Sequence, residues 1–382
     1  MKIKFALFSL FIATFSGYAA TESKASTEIP VDRSAPDFIR VSLMIADPDT
    51  DLCSYLGHAF LRLECPTYKL DRCFTYESES IKEHPLRFLA GKLRMGMYSS
   101  LSEPYLDGFR QQNRGVRQYA LDLPPMAKQR LWRILDEKVA EGIEVPYDPL
   151  EKSCAVTILR VIAKACRPDK LAIHHWPYKA DATMREIVRD HSIGYDWYRV
   201  FLCAIFGTAF DKTLPPFEKA IVPSDLLSVL KSSSLNGQPI ISDSPVQLFP
   251  SGQPHTPSLI TPMMVSIGLL ALSLASWFYC SKLIVRGFLI GETLFGICVV
   301  FLVVGSMLPL NPWNWLIIPF NILPAVFWKW RRYWAGCYAV VLLVWNGFMI
   351  FYPHQLTDWS YCVLTFALIS IYTNIACHAK RQ

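Results

Sequence analysis

Beyond Pro257 the chain is almost entirely apolar runs, at about 259–280, 287–309, 313–328, 334–352 and 359–377. An apolar segment of about 20 residues spans a bilayer as a helix, because only a helix satisfies its own backbone groups there. Most of these runs are long enough. The third is short and holds Pro319 and Pro324, so a kinked or re-entrant path is expected of it. Charge sets the orientation. Lys282 and Arg286 follow the first run, Lys329, Arg331 and Arg332 the third, and Lys380 and Arg381 the fifth. The turns at Asn311–Pro312 and His354–Asp358 carry no Lys or Arg. Five crossings put every basic cluster on one side, which the positive-inside bias makes the cytoplasm. Trp277, Trp313, Trp315, Trp328, Trp330, Trp334, Trp359 and Tyr361 near the run ends fit an interfacial belt. The formal net charge of +6 then needs no nucleic-acid partner.

Residues 1–19 read as a secretory signal. Lys2 and Lys4 precede the short apolar stretch Phe5–Phe15, and Gly17-Tyr18-Ala19 gives a small-x-small cleavage site. A retained anchor is the other reading. Residues 20–231 form a mixed region long enough for a full core. Residues 232–258, with Pro239, Pro245, Pro250, Pro254 and Pro257, read as a linker to a membrane domain at 259–382.

Within the mixed region, period-2 patterns predict strands at 41–45, 56–63, 73–77 and 115–123. Helices are expected at 84–93, 124–141, 153–166, 183–190, 196–207 and 223–231. Strands first and helices after is an α+β pattern.

Two segments carry chemistry. Gly57 places His58 at the start of an alternating apolar run. Ser153 is a good N-cap, which makes Cys154 the first residue of a helix. A thiol there faces unpaired backbone N–H groups and the positive end of the helix dipole, which favour thiolate. Imidazole with an activated thiolate is acyl-transfer chemistry. The alternative for both residues is ordinary core packing. A third, orienting residue is not legible, although Glu64, Thr75 and Glu77 lie on neighbouring expected strands. Tyr55 is a candidate wall of an oxyanion or substrate site, with packing as the alternative. Cys65 and Cys73 flank an expected hairpin turn, where a cross-strand disulfide is one reading and free thiols the other. His174-His175 lacks companion ligands at metal-binding spacing, so neither metal nor cofactor is expected. Asn311, Asn314 and Asn321, with Trp313, are polar or interfacial groups at the membrane edge. They are candidates for substrate binding, with capping of a broken helix as the alternative.

Several segments occur in a family order: Gly57-His58-Ala59-Phe60-Leu61-Arg62, Phe74-Thr75-Tyr76, Phe88-Leu89-Ala90-Gly91-Lys92-Leu93, Asn113-Arg114-Gly115-Val116 and Ser153-Cys154-Ala155. Thr183-Met184-Arg185, Phe206 to Asp211, Val222 to Leu227, Asn311 to Trp315 and Pro319 to Leu323 continue the order. The set resembles the Lnb family of bacterial lipoprotein N-acyltransferases. The resemblance implies an outer domain with a circularly permuted papain-like fold, akin to NlpC-type hydrolases and lecithin–retinol acyltransferase. The permutation accounts for His preceding Cys. It also implies His58 and Cys154 as the catalytic dyad and a phospholipid acyl donor. The implied acceptor is a diacylated lipoprotein, and the implied place is the bacterial inner membrane, with the catalytic domain on the periplasmic side. Ser153 departs from the family's usual Asn and still caps the helix. A membrane-anchored cysteine hydrolase acting on peptidoglycan or peptides is the alternative function.

Overall fold

The computed structural model describes residues 32–49, 54–146, 153–241, 244–252, 257–279, 281–305, 314–351 and 358–378. The expected signal at 1–19, Cys53, Asn311 and Trp313 lie outside them.

The first region runs β1 (Arg40–Ala46), β2 (His58–Cys65), β3 (Leu70–Ser78), α1 (Pro85–Leu89), β4 (Arg94–Leu101), α2 (Ser102–Gln111), β5 (Val116–Ala120), α3 (Pro125–Glu141), β6 (Val145–Pro146) and α4 (Cys154–Cys166). β7 (Ala172–Ile173), α5 (Met184–His191), α6 (Asp196–Ile205), α7 (Pro223–Lys231), β8 (Ser233–Leu235), β9 (Gln238–Pro239) and β10 (Val246–Phe249) follow. The large sheet has the order β10-β5-β1-β2-β3-β4-β6, and its pairings are antiparallel. This is an α+β architecture with the sheet in the N-terminal part.

Alternation along the strands separates two faces. Leu43, Leu61, Leu63 and Phe74 point to one face and meet Leu131 and Leu135 of α3 with Leu159 and Ile162 of α4. Met44, Phe60 and Cys73 point to the other and meet Leu106 and Phe109 of α2. β4 and α2 were not foreseen in the sequence. Their apolar residues are sparse, and the sheet supplies the partner that orders them.

Two readings need correction. The segment 232–258 is more than a linker. Asn236 and Gly237 both take positive φ, and this turn joins β8 to β9, while β10 pairs with β5 at the edge of the large sheet. Edge positions tolerate the neighbouring prolines. Nor do Cys65 and Cys73 pair. The β2–β3 register sets Cys65 opposite Leu70 and Arg62 opposite Cys73, and both thiols are free. Cys73 instead lies 3.3 Å from the Ser102 hydroxyl.

The C-terminal region holds α8 (Pro262–Ala275), α9 (Ser281–Val300), α10 (Leu323–Val326), α11 (Arg331–Phe351) and α12 (Ser360–Cys377). Among the described residues, three helical stretches are long and apolar enough to cross a membrane: Lys282–Val304, Tyr333–Phe351 and Ser360–Cys377. α8 is apolar but shorter. The Pro-interrupted third run is broken into short turns at Trp315–Ile317, α10 and Trp328–Trp330.

That broken run lies antiparallel to α11. Trp345 donates to the Trp315 carbonyl, the Tyr338 hydroxyl to the Ile318 carbonyl, and Trp334 to the Phe327 carbonyl. From residue 345 back to 334 is eleven helical steps, or about 16 Å at 1.5 Å each. The run therefore covers much of the bundle's depth without a continuous helix. Asn321 makes this workable. It bonds the Ile318 carbonyl, the Tyr338 hydroxyl and the Leu323 amide, satisfying groups the break exposes.

The two regions meet at one end of the bundle. Trp197 Nε1 donates to the Ile260 carbonyl at 2.8 Å, ahead of α8. Arg199 binds Asp358, ahead of α12, at 2.6 Å. The Tyr361 hydroxyl donates to the Val200 carbonyl at 2.7 Å. Leu302, just past α9, joins an apolar cluster with Phe88, Val156, Met184 and Phe206. Lys282, second in α9, and Arg331, first in α11, stand at the ends of these helices away from these contacts.

Candidate functional site

Gly57 has φ +86°, a left-handed conformation that glycine adopts without strain. A Cβ there would also sit 2.8 Å from the Ala46 carbonyl oxygen. The tight turn it permits delivers His58 to the first position of β2. Ser153 caps α4 as expected: its hydroxyl accepts from the Val156 amide at 3.1 Å. Cys154 is thereby the first helical residue, half-buried, with its backbone held by the cap. α4 packs across β2, so the two residues meet and the imidazole and thiol interact.

The outer edge of the imidazole is fixed by β3. His58 Nε2 lies 2.8 Å from Thr75 Oγ1, and Thr75 Oγ1 donates to Glu77 Oε1 at 2.9 Å. A threonine hydroxyl has one proton. With that proton spent on Glu77, Nε2–H must donate to Thr75, which settles the tautomer and leaves the other ring nitrogen toward sulfur. Glu77 Oε1 is itself 3.4 Å from Nε2, and the Tyr105 hydroxyl of α2 donates to the same oxygen. Behind the ring, Phe60 and Phe109 stack in parallel.

Electrostatics follow from this arrangement. Burial pushes the His58 pKa down, but the Cys154 charge and hydrogen bond, aided by Glu77, outweigh it and raise the value to about 9. Burial pushes the Cys154 thiol up. The positive charge and hydrogen bond of His58, with the backbone N–H groups of Ala59 and Ala155, outweigh that and lower it. Burial also acts to raise Glu77, yet His58 and the Tyr105 and Thr75 donors bring it to about 2. The shifts of both groups favour thiolate beside imidazolium over thiol beside neutral imidazole, backed by an ionised carboxylate.

The dyad opens into a cavity of about 700 Å³. Its lining includes polar groups, among them Ser78, Gln112 and Arg114, and an apolar wall of Ile81, Phe88, Met184, Leu202, Phe206 and Phe210. Arg185 stiffens this apolar wall. It pairs with Asp211, donates to the carbonyls of Phe206 and Gly207, and lies over the Phe210 ring. Phe206 and Phe210 stack at 4.4 Å.

Tyr55 lines the same cavity. Its ring packs edge-on against Tyr195 and Tyr198, and its hydroxyl is 3.4 Å from Ser192 Oγ. Burial pushes its pKa up to about 12, so it stays a neutral wall residue. Asn314 and Asn321 do not line the cavity. Asn314 caps the turn Trp315–Ile317 through the Leu316 amide, and Asn321 serves the broken run. His174 Nε2 meets Ser234 Oγ at 2.8 Å.

Sequence reasoning named Thr75 and Glu77 without giving them a role, and it missed Tyr105 and the Arg185–Asp211 pair. The missing signal was register. Thr75 and Glu77 share a strand face with His58's neighbourhood only once β2 and β3 are aligned. No family model, no curated protein and no solved structure matches this chain.

Proposed function

We propose that the chain is a thiol acyltransferase of the membrane that moves an acyl group from a phospholipid to the N-terminal amine of a diacylglyceryl-modified lipoprotein. The observation that carries this reading is the cavity. The Cys154–His58 pair opens on a lining that combines polar groups with an apolar, aromatic wall, and that wall shares its cluster with Leu302, just past α9. An apolar wall beside a membrane helix suits an acyl chain better than a peptide, which favours acyl transfer over the hydrolase alternative.

In the proposed reaction the Cys154 thiolate adds to the ester carbonyl carbon. Backbone N–H groups at the start of α4, with that of Ala59, receive the oxyanion. The C–O bond breaks as His58 gives its proton to the departing glyceryl oxygen. A lysophospholipid leaves and a thioester remains on Cys154. The α-amine of the acceptor cysteine then adds to the thioester carbon. His58 takes the amine proton, the C–S bond breaks, and the thiolate beside imidazolium is restored. Thr75 and Glu77 keep the Nε2 proton in place throughout, so the other ring nitrogen is the one that gives and takes the proton. The reaction belongs on the side of the inner membrane facing the periplasm, where the positive-inside bias puts residues 32–252.

The test is mass spectrometry of lipoprotein N-termini in cells with the intact chain, without it, and with Cys154→Ala. Triacylated N-termini are expected only with the intact chain. N-acylation that persists at full extent with Cys154→Ala sinks the reading.

A further inference from the structure

α6 presents three different faces. Arg199 and Val200 turn to the helical bundle, through Asp358 and Tyr361. Leu202 lines the cavity that holds Cys154. Trp197 and Phe201 are left exposed, with the Trp197 ring nitrogen reaching the chain ahead of α8. They lie four residues apart, hence on one helix face, and are 43% and 37% exposed. Ile193, in the turn just before α6, is 79% exposed.

This stripe adjoins exposed apolar surface at the start of α8. Trp197 is fastened by its ring nitrogen to the carbonyl of Ile260, where the chain enters α8. Leu259, Ile260 and Met264 there are exposed as well. α6 is therefore held at the depth where the bundle's helices end. An amphipathic helix at that depth, with Trp at its edge, is suited to the boundary between head groups and acyl chains.

The geometry points to the segment 193–201 as an interfacial lip: its outer face lies in the bilayer's surface layer while its inner face forms one wall of the cavity. Its occupant is the phospholipid of the membrane that holds this chain's own helices. A lipid tail would slide sideways past the lip to Cys154 without passing through water. The inference rests on the proposed function for the identity of the donor, but the position of the lip does not depend on any activity.

The test uses the full chain reconstituted in vesicles of phosphatidylethanolamine and phosphatidylglycerol. A photo-reactive benzoylphenylalanine replaces Ile193 in one variant and Phe201 in another, and Lys69, in the turn between β2 and β3, in a control. Illumination should give phospholipid adducts at 193 and 201 and none at 69, read by intact mass. Absence of lipid adducts at both sites, or equal labelling at 69, overturns the lip. In the second arm Ile193→Glu should slow transfer from vesicle phospholipid about tenfold, while transfer from a water-soluble short-chain thioester stays unchanged. Equal rates from both donors in wild type and variant overturn the lateral route. Lipid adducts in a protein that transfers no acyl group from either donor uphold the lip and overturn the proposed function instead.

Discussion

Thr75 Oγ1 stands 2.8 Å from His58 Nε2 and donates its own hydrogen bond to Glu77. One hydroxyl thus connects a partly exposed carboxylate to the imidazole and selects the tautomer that can serve sulfur. Thr75→Val keeps the shape and removes the acceptor. A hydrogen bond to a charged partner contributes about 1.5–3 kcal/mol, so acyl transfer should fall roughly ten- to a hundredfold with the fold intact. Thr75→Ser should restore most of the rate. Equal rates for the valine and wild-type proteins would remove Thr75 from the mechanism.

The charge state of Cys154 is set against burial by His58. Burial alone raises the thiol, and His58 lowers it. Alkylation of Cys154 by iodoacetamide, followed by peptide mass spectrometry, should therefore stay fast well below the pH that a free thiol requires. With the His58 pKa at about 9, the imidazolium that stabilises the thiolate persists through neutrality and is lost as pH rises past that value. His58→Ala leaves the burial effect unopposed. Its Cys154 alkylation at pH 7 should drop at least about tenfold and recover only in alkali. An unchanged pH profile in that variant would show that the imidazole does not set the thiol.

Arg185 and Asp211 form a buried pair behind the apolar wall, with side chains 4% and 11% exposed. Removing the cation alone leaves a mostly buried carboxylate without its counter-charge and takes a donor from the carbonyls of Phe206 and Gly207. Arg185→Ala should cost about 3–5 kcal/mol, read as denaturant-induced unfolding in detergent. A loss under 1 kcal/mol would mean that the wall does not depend on Arg185.

Gly296 of α9 lies against the broken run. An added Cβ would fall 2.3 Å from the Asn321 carbonyl oxygen, whereas at Gly287 and Gly291 it meets nothing within 4 Å. Small residues let membrane segments approach at the backbone. Gly296→Ala should lower the melting temperature in detergent. Gly287→Ala and Gly291→Ala should leave it unchanged or raise it, since alanine favours helix by up to about 1 kcal/mol. The same response at all three positions would contradict this packing.

Arg199 and Asp358 fasten α6 to the start of α12. Asp358→Asn preserves the cap on the Ser360 amide and removes the charge. A double-mutant cycle with Arg199→Gln should give a coupling of about 1–3 kcal/mol in thermal unfolding. Additive effects would mean that the pair is idle.

By itself the sequence determined whatever depends on neighbours along the chain. The apolar runs, the N-cap at Ser153 and the turn at Gly57 are local consequences of side-chain chemistry. Each is where local rules put it. The core faces of β1, β2, α3 and α4 follow from periodicity in the same way. The path of residues 314–330 does not. Its prolines forbid a long helix, but the antiparallel course along α11 depends on Tyr338 and Trp345, which lie later in the chain. The Cys65–Cys73 pairing failed for a related reason, because strand register is fixed by all the strands together. Thr75, Glu77 and Tyr105 became a site only through the alignment of β2 with β3 and the docking of α2. Hydrogen bonds between groups distant in sequence carry no periodic signal. Tertiary packing alone decided which polar residues face His58 and which side of α6 is left for lipid.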